Sequence, residues 1–288
     1  MRIGVTGASG FIGKHLMNAL KRLPHTTVIS QPRKNKRSIP HPGELESFVR
    51  DRDLIYHLAG VNRGTDEEIL CGNILGTLNL LVAIKMFGSP ATRVVFASSS
   101  QVYKPGGANV AFKESRATEP QTLYGISKMA AEDLIRVSGL PHTILRLANV
   151  YGPGCRPNYN SVIATFCHRA ARHRPVTIHG DGRQGRDFVY IDDVVRAFLL
   201  AGFDGRKPSR AVYNIGSGRV FSLKRVVENV RRAGTRVDTR FEPRTDPDSP
   251  SYCCDSSRFR GRTGWKPEIS LAKGIKTTLQ WFQEGTRA

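Results

Sequence analysis

The stretch Arg2-Ile-Gly-Val-Thr-Gly-Ala-Ser-Gly-Phe-Ile-Gly13 decides the fold. Its first half, Arg2–Thr6, is a short and largely apolar run of the kind that forms a strand covered on both faces of a sheet. From Phe11 to Arg22 the apolar residues recur at helical spacing. The sequence therefore predicts a strand, a tight glycine turn and a helix within the first 22 residues.

The turn contains three glycines, and each has a separate use. Gly7 permits the tight turn, Gly10 lets a pyrophosphate approach the backbone, and Gly13 lets the helix pack close to the strand. The first N–H groups of the helix then face the phosphate charge. The spacing is G-x-x-G-x-x-G rather than G-x-G-x-x-G, and glycine-rich turns also occur without a ligand. The position between strand and helix favours a dinucleotide-binding site.

Strand and helix patterns continue to alternate along the chain. Helices are predicted from a capping box at Thr65–Glu68 through Phe87, and over Leu123–Val137. This alternation predicts an α/β protein with a Rossmann-like, doubly wound parallel sheet. Its further strands are predicted at Thr26–Ser30, Asp53–Leu58, Arg93–Ala97 and His142–Leu147.

The character of the sequence changes after Asn149, where a Gly/Pro-rich loop is followed by shorter elements and many arginines. We predict a Rossmann-like domain at 1–150 and a smaller C-terminal α/β lobe at 151–288, which would hold the substrate. Residues 187–205 are expected to pack back on the first domain. The later predicted elements are Val212–Ile215, Ser222–Arg232 and Leu271–Phe282.

The composition excludes several classes of protein. In 288 residues, 39% are hydrophobic, which excludes disorder, collagen and coiled coil. No apolar run approaches the roughly 18 residues of a membrane span, so no contact with a membrane is expected. Five cysteines show neither a disulfide framework nor the spacing of a metal site. We expect a cytoplasmic protein without a metal ion.

The chain is strongly basic, with 44 Lys+Arg against 24 Asp+Glu and a net charge of +20. Such a charge can indicate nucleic-acid binding. The excess is scattered over many short groups of arginines, however, which favours a generally basic surface. Nucleic acid is therefore not the expected partner.

The one dense basic run follows the second predicted strand and includes Arg33 and Lys34. An acidic residue normally holds the adenosine ribose 2′-hydroxyl at this point, about 20 residues after the glycines. No Asp or Glu occurs before Glu44. Positive charge suits a 2′-phosphate, so NADP(H) is favoured over NAD(H). A solvated basic loop is the alternative interpretation.

Tyr124 and Lys128 stand four residues apart on a predicted helix and share one face. A lysine cation beside a phenol lowers the pKa of the phenol. Such a tyrosine can exchange a proton with a hydroxyl while a hydride moves to or from a nicotinamide. Ser98–Ser100 end the preceding strand, where side chains face the ligand cleft of an open sheet. The three residue types together favour carbonyl–alcohol redox chemistry.

These motifs resemble the extended short-chain dehydrogenase/reductases, and most closely their nucleotide-sugar epimerase/dehydratase group. The similarity covers nearly the whole chain. It implies a nicotinamide cofactor, a nucleotide-sugar substrate and a homodimer formed through the helices at Thr65–Phe87 and Leu123–Val137. The segments that carry it are Thr6–Gly13, His57–Gly60, Ser98–Tyr103, Tyr124–Lys128, Leu145–Gly152, Gly180–Tyr190, Asp255–Arg258 and Gly264–Pro267.

The resemblance assigns roles to individual residues. Ser99, Tyr124 and Lys128 would be catalytic. The cofactor would contact Gly7, Ser9, Gly10, Phe11, Ile12, Gly13, Arg33, Lys34, Leu58, Ala59, Gly60, Ser98, Tyr124, Lys128 and Leu147. The sugar nucleotide would contact Ser99, Tyr124, Asn149, Asn160, Thr177, His179, Arg186, Arg244 and Asp248, with Asn158 as a rival for the role of Asn160.

The chain departs from the family pattern at Ser100 and Gln101, where the dehydratases carry Asp-Glu and the decarboxylating members carry Glu at the second position. An uncharged amide cannot transfer that proton, so dehydration and decarboxylation are disfavoured. The chain is also short between Ser30 and Asp53, where the family usually has another strand and adenine contacts. The remaining predictions are a 4-epimerase, then an NADPH-dependent 4-keto-sugar reductase, and from another class an RNA-binding protein that has lost catalysis.

Overall fold

The computed structural model describes residues 1–31, 39–106, 110–159, 161–204, 210–243 and 251–287. Five predicted site residues lie outside these described residues: Arg33, Lys34, Asn160, Arg244 and Asp248.

The strands are short, as expected for a parallel α/β sheet. Those of the central sheet are β1 (Arg2–Thr6), β2 (Thr27–Ser30), β3 (Leu54–His57), β4 (Arg93–Ser99), β6 (His142–Leu147) and β11 (Ala211–Ile215). The others form two-stranded pairs: β5 (Val110–Phe112), β7 (Asn149–Tyr151), β8 (Val176–His179), β9 (Gly185–Arg186), β10 (Phe188–Tyr190), β12 (Phe221–Ser222), β13 (Thr239–Glu242) and β14 (Tyr252–Cys254).

The helices follow the apolar periodicity of the sequence. They are α1 (Phe11–Leu20), α2 (Glu46–Val49), α3 (Asp66–Leu70), α4 (Gly76–Phe87), α5 (Leu123–Val137), α6 (Val162–Ala171), α7 (Ile191–Phe203), α8 (Leu223–Arg232), α9 (Ser257–Thr263) and α10 (Leu271–Arg287). A π-helical turn at Cys71–Leu75 joins α3 to α4. Short 3₁₀ turns occupy Pro42–Leu45 and Ser100–Val102.

The central sheet is parallel throughout, in the order β2-β1-β3-β4-β6-β11. Helices α2, α4 and α5 bury one of its faces with residues such as Phe48, Leu80 and Ile135. On the other face, α1 and α7 pack together and contribute Leu16 and Phe198 to a second core. The second core continues into the C-terminal lobe, where α10 packs on α6 and α8. The predicted doubly wound fold is confirmed.

The C-terminal half does not stay in its own lobe. Strand β11, which the sequence analysis grouped with the later elements, pairs with β6 from Ala211–Thr143 to Ile215–Leu147 and forms the edge of the central sheet. Helix α7 packs on α1 and β4. The chain therefore returns to the Rossmann-like layer after residue 150 and then leaves it again. The proposed boundary at residue 150 stays a prediction.

One expectation about apolar runs was wrong. The helical stretch Asp66–Phe87 is long and apolar enough to cross a membrane by length and composition, with a mean hydropathy of 1.7. Its inner residues pack on the sheet, and a helix of a protein core passes the same test. Polar side chains interrupt the run and bond internally; for example, Asn79 Nδ2 donates to Pro40 O at 2.9 Å. Because of these polar residues the stretch contains no long uninterrupted apolar run, although its mean hydropathy is high.

The strand register places the chemistry at one edge of the sheet. Thr6 is opposite His57, which is opposite Phe96 in β4, and Ser99 is opposite Leu147. The carboxyl ends of β1, β3, β4 and β6 therefore meet. This is the edge where open α/β sheets bind their ligands.

Candidate active site

The glycine turn between β1 and α1 is packed so closely that two of its glycines have no room for a side chain. Gly7 has φ +68°, in the left-handed region that favours glycine. A Cβ there would lie 2.6 Å from the backbone nitrogen of Ala59. A Cβ on Gly13 would lie 2.1 Å from the carbonyl oxygen of Gly7. Gly10 caps α1 without a side-chain hydrogen bond, and the first turn has no acidic residue. The turn fits a bound pyrophosphate, because no side chain caps the N-terminus of α1 and no acidic residue in its first turn would repel the phosphates.

A buried imidazole joins this turn to the next strand. Thr77 donates its hydroxyl hydrogen to Asn73 O at 2.6 Å, so it must accept from His57 Nε2 at 2.9 Å. His57 Nδ1 then accepts from the Thr6 hydroxyl at 2.8 Å, while Thr6 Oγ1 accepts from Ala59 N at 3.1 Å. Burial and the charge of Lys128 lower the pKa of His57 to about 3. His57 is therefore neutral and holds the loop at Leu58–Gly60 beside the glycine turn.

Ser99 and Tyr124 meet across two elements. Ser99 is the last residue of β4, and Tyr124 lies in the first turn of α5, which Thr122 caps. Ser99 interacts with the phenol of Tyr124 and acts to lower its pKa. Ser99 Oγ also accepts from the backbone nitrogen of Gln101 at 3.2 Å. The structure thus brings together the two predicted catalytic hydroxyls.

Lys128 lies near Tyr124 on the same helix and is buried. Its Nζ is 5.9 Å from the ring centroid of Tyr124 and 4.6 Å from that of Phe96. A Cβ on Gly60 would lie 3.2 Å from Nζ, so the predicted cofactor loop passes next to this cation. Burial lowers the pKa of Lys128 to about 8, and the charge of Glu132 opposes that shift.

The predicted lowering of the Tyr124 pKa by Lys128 was wrong in its direction. Enclosure of the hydroxyl raises the pKa of Tyr124 above its usual value, Tyr159 adds to the rise, and the hydrogen bond from Ser99 only partly offsets it. A phenolate costs more free energy in a site with little water than in solution. Enclosure therefore favours the neutral phenol of Tyr124 over its phenolate, so the phenolate needs a compensating positive charge nearby.

Asn73 is a site residue that the sequence analysis missed. It lies in the π-helical turn, a form frequent at functional sites. Its side chain accepts from Val61 N and donates to Val61 O, both at 2.8 Å, and donates to Ser127 Oγ at 2.8 Å. Ser127 donates to the carbonyl oxygen of Tyr124. Asn73 thus ties the loop after β3 to the helix of Tyr124, which no local pattern indicates.

The hydroxyl of Ser98, which was predicted to contact the cofactor, is hydrogen-bonded to another side chain of the protein. It donates to Glu132 Oε1 at 2.5 Å, and both side chains are buried. Arg146 in β6 donates to both oxygens of the same carboxylate, at 2.9 and 2.7 Å. Glu132 was also missed, although Tyr124, Lys128 and Glu132 follow each other at intervals of four residues.

On the substrate side, Arg186 lies near the catalytic turn. It pairs with Phe221 across β9 and β12, and its charge acts on the phenol of Tyr252. The Tyr252 hydroxyl is 3.2 Å from Ser100 Oγ. The neighbouring Asp187 is buried and accepts from the backbone of Ser217 and Cys254 at 2.8 and 2.9 Å. These contacts connect the segment of Arg186 with Tyr252 and, through Tyr252, with Ser100.

The other predicted substrate residues lie farther along the C-terminal lobe. Asn149 Nδ2 donates to Asp187 O at 2.9 Å, which ties it to the segment of Arg186. Thr177 and His179 lie in β8, and His179 is exposed at its end. The rival Asn158 has φ +57°, and its backbone nitrogen donates to Thr165 Oγ1. The roles of these residues in substrate binding stay predictions.

The profile of the NAD dependent epimerase/dehydratase family matches residues 3–216, so this chain belongs to that family of nicotinamide-dependent enzymes. It is 29% identical to a putative UDP-glucose 4-epimerase of Methanocaldococcus jannaschii, over 98% of this chain and 99% of the relative. It is 37% identical to a UDP-2-acetamido-2,6-beta-L-arabino-hexul-4-ose reductase of Pseudomonas aeruginosa, over 72% of this chain and 50% of the relative.

Solved structures agree with this assignment. The UDP-glucose 4-epimerase of Thermotoga maritima, solved with UDP-glucose, superposes with a TM-score of 0.88 at 29% identity, over 99% of this chain and 100% of that one. RMD from Pseudomonas aeruginosa, solved with NADPH, superposes with a TM-score of 0.86 at 28% identity, over 99% of both chains. The resemblance noted from the motifs is confirmed for family and fold.

The glycine turn makes a direct prediction for cofactor binding. Gly13→Ala places a methyl group where the carbonyl oxygen of Gly7 lies, so the turn must move and dinucleotide affinity should fall by at least about tenfold. The measurement is a fluorescence titration with NADH and NADPH. Gly261→Ala, in α9 with no atom near the new methyl, should bind like the wild type. Equal affinity in the Gly13 variant would contradict the site.

The buried His57 makes a prediction for stability against pH. Its pKa is lowered from 6.5 to about 3 in the folded protein, so the unfolded chain binds the extra proton between these values. Stability from this group is complete above pH 6.5 and is lost as the pH falls towards 3. Between pH 7 and 5 the loss should be about 2 kcal/mol.

Urea unfolding at both pH values checks this prediction. In His57→Gln the fall in unfolding free energy between pH 7 and 5 should shrink by that amount. The variant of an exposed histidine, His173→Asn, should show the wild-type fall. An unchanged fall in His57→Gln would show that the imidazole does not stay neutral.

Proposed function

We propose that the protein is an NAD(P)-dependent epimerase that inverts C4 of the sugar in a UDP-hexose. The observation that carries this proposal is the placement of Ser99 against the phenol of Tyr124, with Lys128 Nζ 5.9 Å from the centre of the Tyr124 ring, at the sheet edge that also holds the glycine turn. The similarity to UDP-glucose 4-epimerases over nearly the full length of both chains supports the substrate class.

In the proposed mechanism Tyr124 exchanges the proton of the C4 hydroxyl. A bound nicotinamide supplies the acceptor, and later the donor, of the C4 hydride. Tyr124 acts as a phenolate, after releasing its own proton to solvent, and takes the C4 hydroxyl proton as the hydride leaves C4, while Ser99 donates a hydrogen bond to the developing carbonyl oxygen. The keto-sugar then rotates in the site so that its opposite face is reduced, and Tyr124 returns the proton to the new C4 hydroxyl. Because no net oxidation occurs, the tyrosine ends the cycle in its starting form.

The raised pKa of Tyr124 gives Lys128 its task in this cycle. A buried phenol gives up a proton only if a nearby positive charge offsets the cost of the phenolate. Lys128 is the cation beside its ring, and a pKa of about 8 keeps it mainly protonated at neutral pH. We therefore assign Lys128 to stabilising the phenolate at the start and end of the cycle, when the proton is on the sugar hydroxyl.

Ser100 and Gln101 support epimerisation over elimination of water. Ser100 Oγ is buried against the Tyr252 hydroxyl, and Gln101 Oε1 accepts from the Thr122 hydroxyl at 3.1 Å. Neither side chain carries an acid that could protonate a leaving hydroxyl at C6. The turn after Ser99 therefore holds Tyr124's helix in place rather than supplying a second acid.

A 4-keto-sugar reductase is the second candidate, since it uses the same three catalytic residues. The similarity to a hexulose reductase favours it. So does the short connection from β2 to β3, whose described residues 31 and 39–53 include no strand. A shorter connection offers fewer contacts to an adenine, as suits a cofactor that leaves after each turnover. A preference for NADP(H), from Arg33 and Lys34, belongs to this second proposal.

We also propose a homodimer built on the helices α3–α4 and α5. Large apolar side chains are exposed at helical spacing on these helices: Leu75, Leu78 and Met86, and on α5 Ile126 and Val137. Pairing with a second copy would cover them. Light scattering should give twice the mass of the chain, and Ile126→Asp should give the single mass. A monomeric wild type would contradict the dimer.

A cytoplasmic location is a further proposal. It is supported by the five cysteines, none of which is disulfide-bonded. Recovery of the protein in the soluble cytoplasmic fraction of its host cell tests it, and recovery elsewhere would contradict it.

The proposed reaction predicts that removing the phenolic oxygen of Tyr124 strongly lowers the catalytic rate. Tyr124→Phe should lower interconversion of UDP-glucose and UDP-galactose by about 100-fold or more, with affinity for UDP within about twofold of the wild type. Chromatography of the sugar nucleotides measures the first quantity, and calorimetry measures the second. Tyr213→Phe, a buried tyrosine in β11, is the matched control and should turn over normally. A Tyr124→Phe protein of wild-type activity would refute the mechanism.

A further inference from the structure

Glu132 occupies a position that the proposed chemistry does not use. Tyr124, Lys128 and Glu132 are spaced by four residues on α5 and share one helix face. The Glu132 side chain has no exposed surface. A buried carboxylate is costly unless it is fully hydrogen-bonded, so its presence one turn from Lys128 needs a reason.

The carboxylate connects α5 to two strands of the sheet. It accepts from Ser98 Oγ at 2.5 Å, from Arg146 Nε at 2.9 Å and from Arg146 Nη2 at 2.7 Å. Arg136 Nη2 also donates to it, at 2.5 Å. Ser98 and Arg146 are directly opposite each other in β4 and β6. Glu132 therefore holds the carboxyl ends of both strands against the helix.

This connection acts on the catalytic pair through one peptide unit. Ser98 immediately precedes Ser99 in β4, and Ser99 must reach Tyr124, which lies on the same helix as Glu132. The bond from Ser98 to Glu132 thus fixes the position of the strand end relative to that helix. Movement of the strand end would therefore change the distance between the Ser99 and Tyr124 hydroxyl groups.

The carboxylate also acts on Lys128 by its charge. Burial lowers the pKa of Lys128, and Glu132 raises it, which leaves it at about 8. The other titratable groups that face Lys128 are Tyr124 on its own helix and His57 from β3, both neutral at pH 7. From β4 the neighbour is the ring of Phe96. Glu132 is therefore the negative charge that favours a protonated Lys128.

We propose that Glu132 is a positioning residue with two effects: through Ser98 it sets Ser99 against Tyr124, and through its charge it keeps Lys128 protonated. This inference rests on the proposed function of the same site. Its tests separate the two effects from each other and from simple loss of folding.

The charge effect is tested in a variant that removes both members of the buried pair. Glu132→Gln alone leaves Arg146 buried without its anion and could unfold the protein, so it is combined with Arg146→Met. The alkaline limb of the pH profile of kcat should move down by about one unit. Asp133→Asn, the exposed neighbour that also pairs with Arg136, is the control and should leave the limb in place. An unmoved limb in the double variant would overturn the charge effect.

The positioning effect is tested by removing one hydroxyl. Ser98→Ala should lower kcat by at least about tenfold, as for one hydrogen bond to a charged group, with KM within twofold and the alkaline limb unchanged. In a Ser99→Ala background the same substitution should cost less than twofold, because its effect passes through Ser99. An equal loss in both backgrounds, or no loss in either, would overturn this effect.

A third measurement does not depend on turnover. The pKa of Lys128 is followed by NMR in protein labelled at lysine Cε, with the resonance assigned by its absence in Lys128→Met. Glu132→Gln with Arg146→Met should lower that pKa by about one unit, and an unchanged pKa would overturn the inference. If the wild type turns over no UDP-hexose, the proposed reaction fails while this titration still decides the role of Glu132.

Discussion

The close approach of Gly13 to the carbonyl oxygen of Gly7 is the constraint on which the rest of the site depends. No room exists for a Cβ at that point, so α1 can begin directly above the end of β1. The N-terminus of α1 then lies beside the loop that follows β3. His57, at the end of β3, fixes this loop by hydrogen bonds to Thr6 and Thr77. The loop at Leu58–Gly60 lies next to the glycine turn because β1 and β3 are parallel and their carboxyl ends meet at one edge.

The catalytic half of the site has a different origin. It is formed where α5 lies against the ends of β4 and β6, and its polar residues come from three separate elements. Ser99, Tyr124 and Lys128 form one layer of the site, and Ser98, Glu132 and Arg146 form a second, hydrogen-bonded and buried layer next to it. The two layers share β4 and α5, so the geometry of the lower one determines the geometry of the upper one. A buried ion pair adds little stability by itself, which makes positioning the better account of its presence here.

The sequence predicted the elements that have strong local signals. Leu123–Val137 and His142–Leu147 have the predicted bounds, and the Thr65–Glu68 capping box is present. It could not show that β11 returns to the central sheet, because that pairing joins residues far apart in the chain. The direction of the Tyr124 pKa was missed for a similar reason: spacing places Lys128 on the same face, but only the folded protein encloses the hydroxyl. Asn73 and Glu132 act through contacts with distant loops and strands, and residue type alone does not indicate them.

The most direct test of the central claim is to identify what the purified protein carries. The protein is denatured before any substrate is added, and the released nicotinamide dinucleotide is identified and counted per chain. An epimerase returns its hydride within each cycle, so the account predicts a retained dinucleotide and conversion of UDP-hexose without added cofactor. An empty protein that consumes NADPH in proportion to product would contradict it and establish a keto-sugar reductase instead.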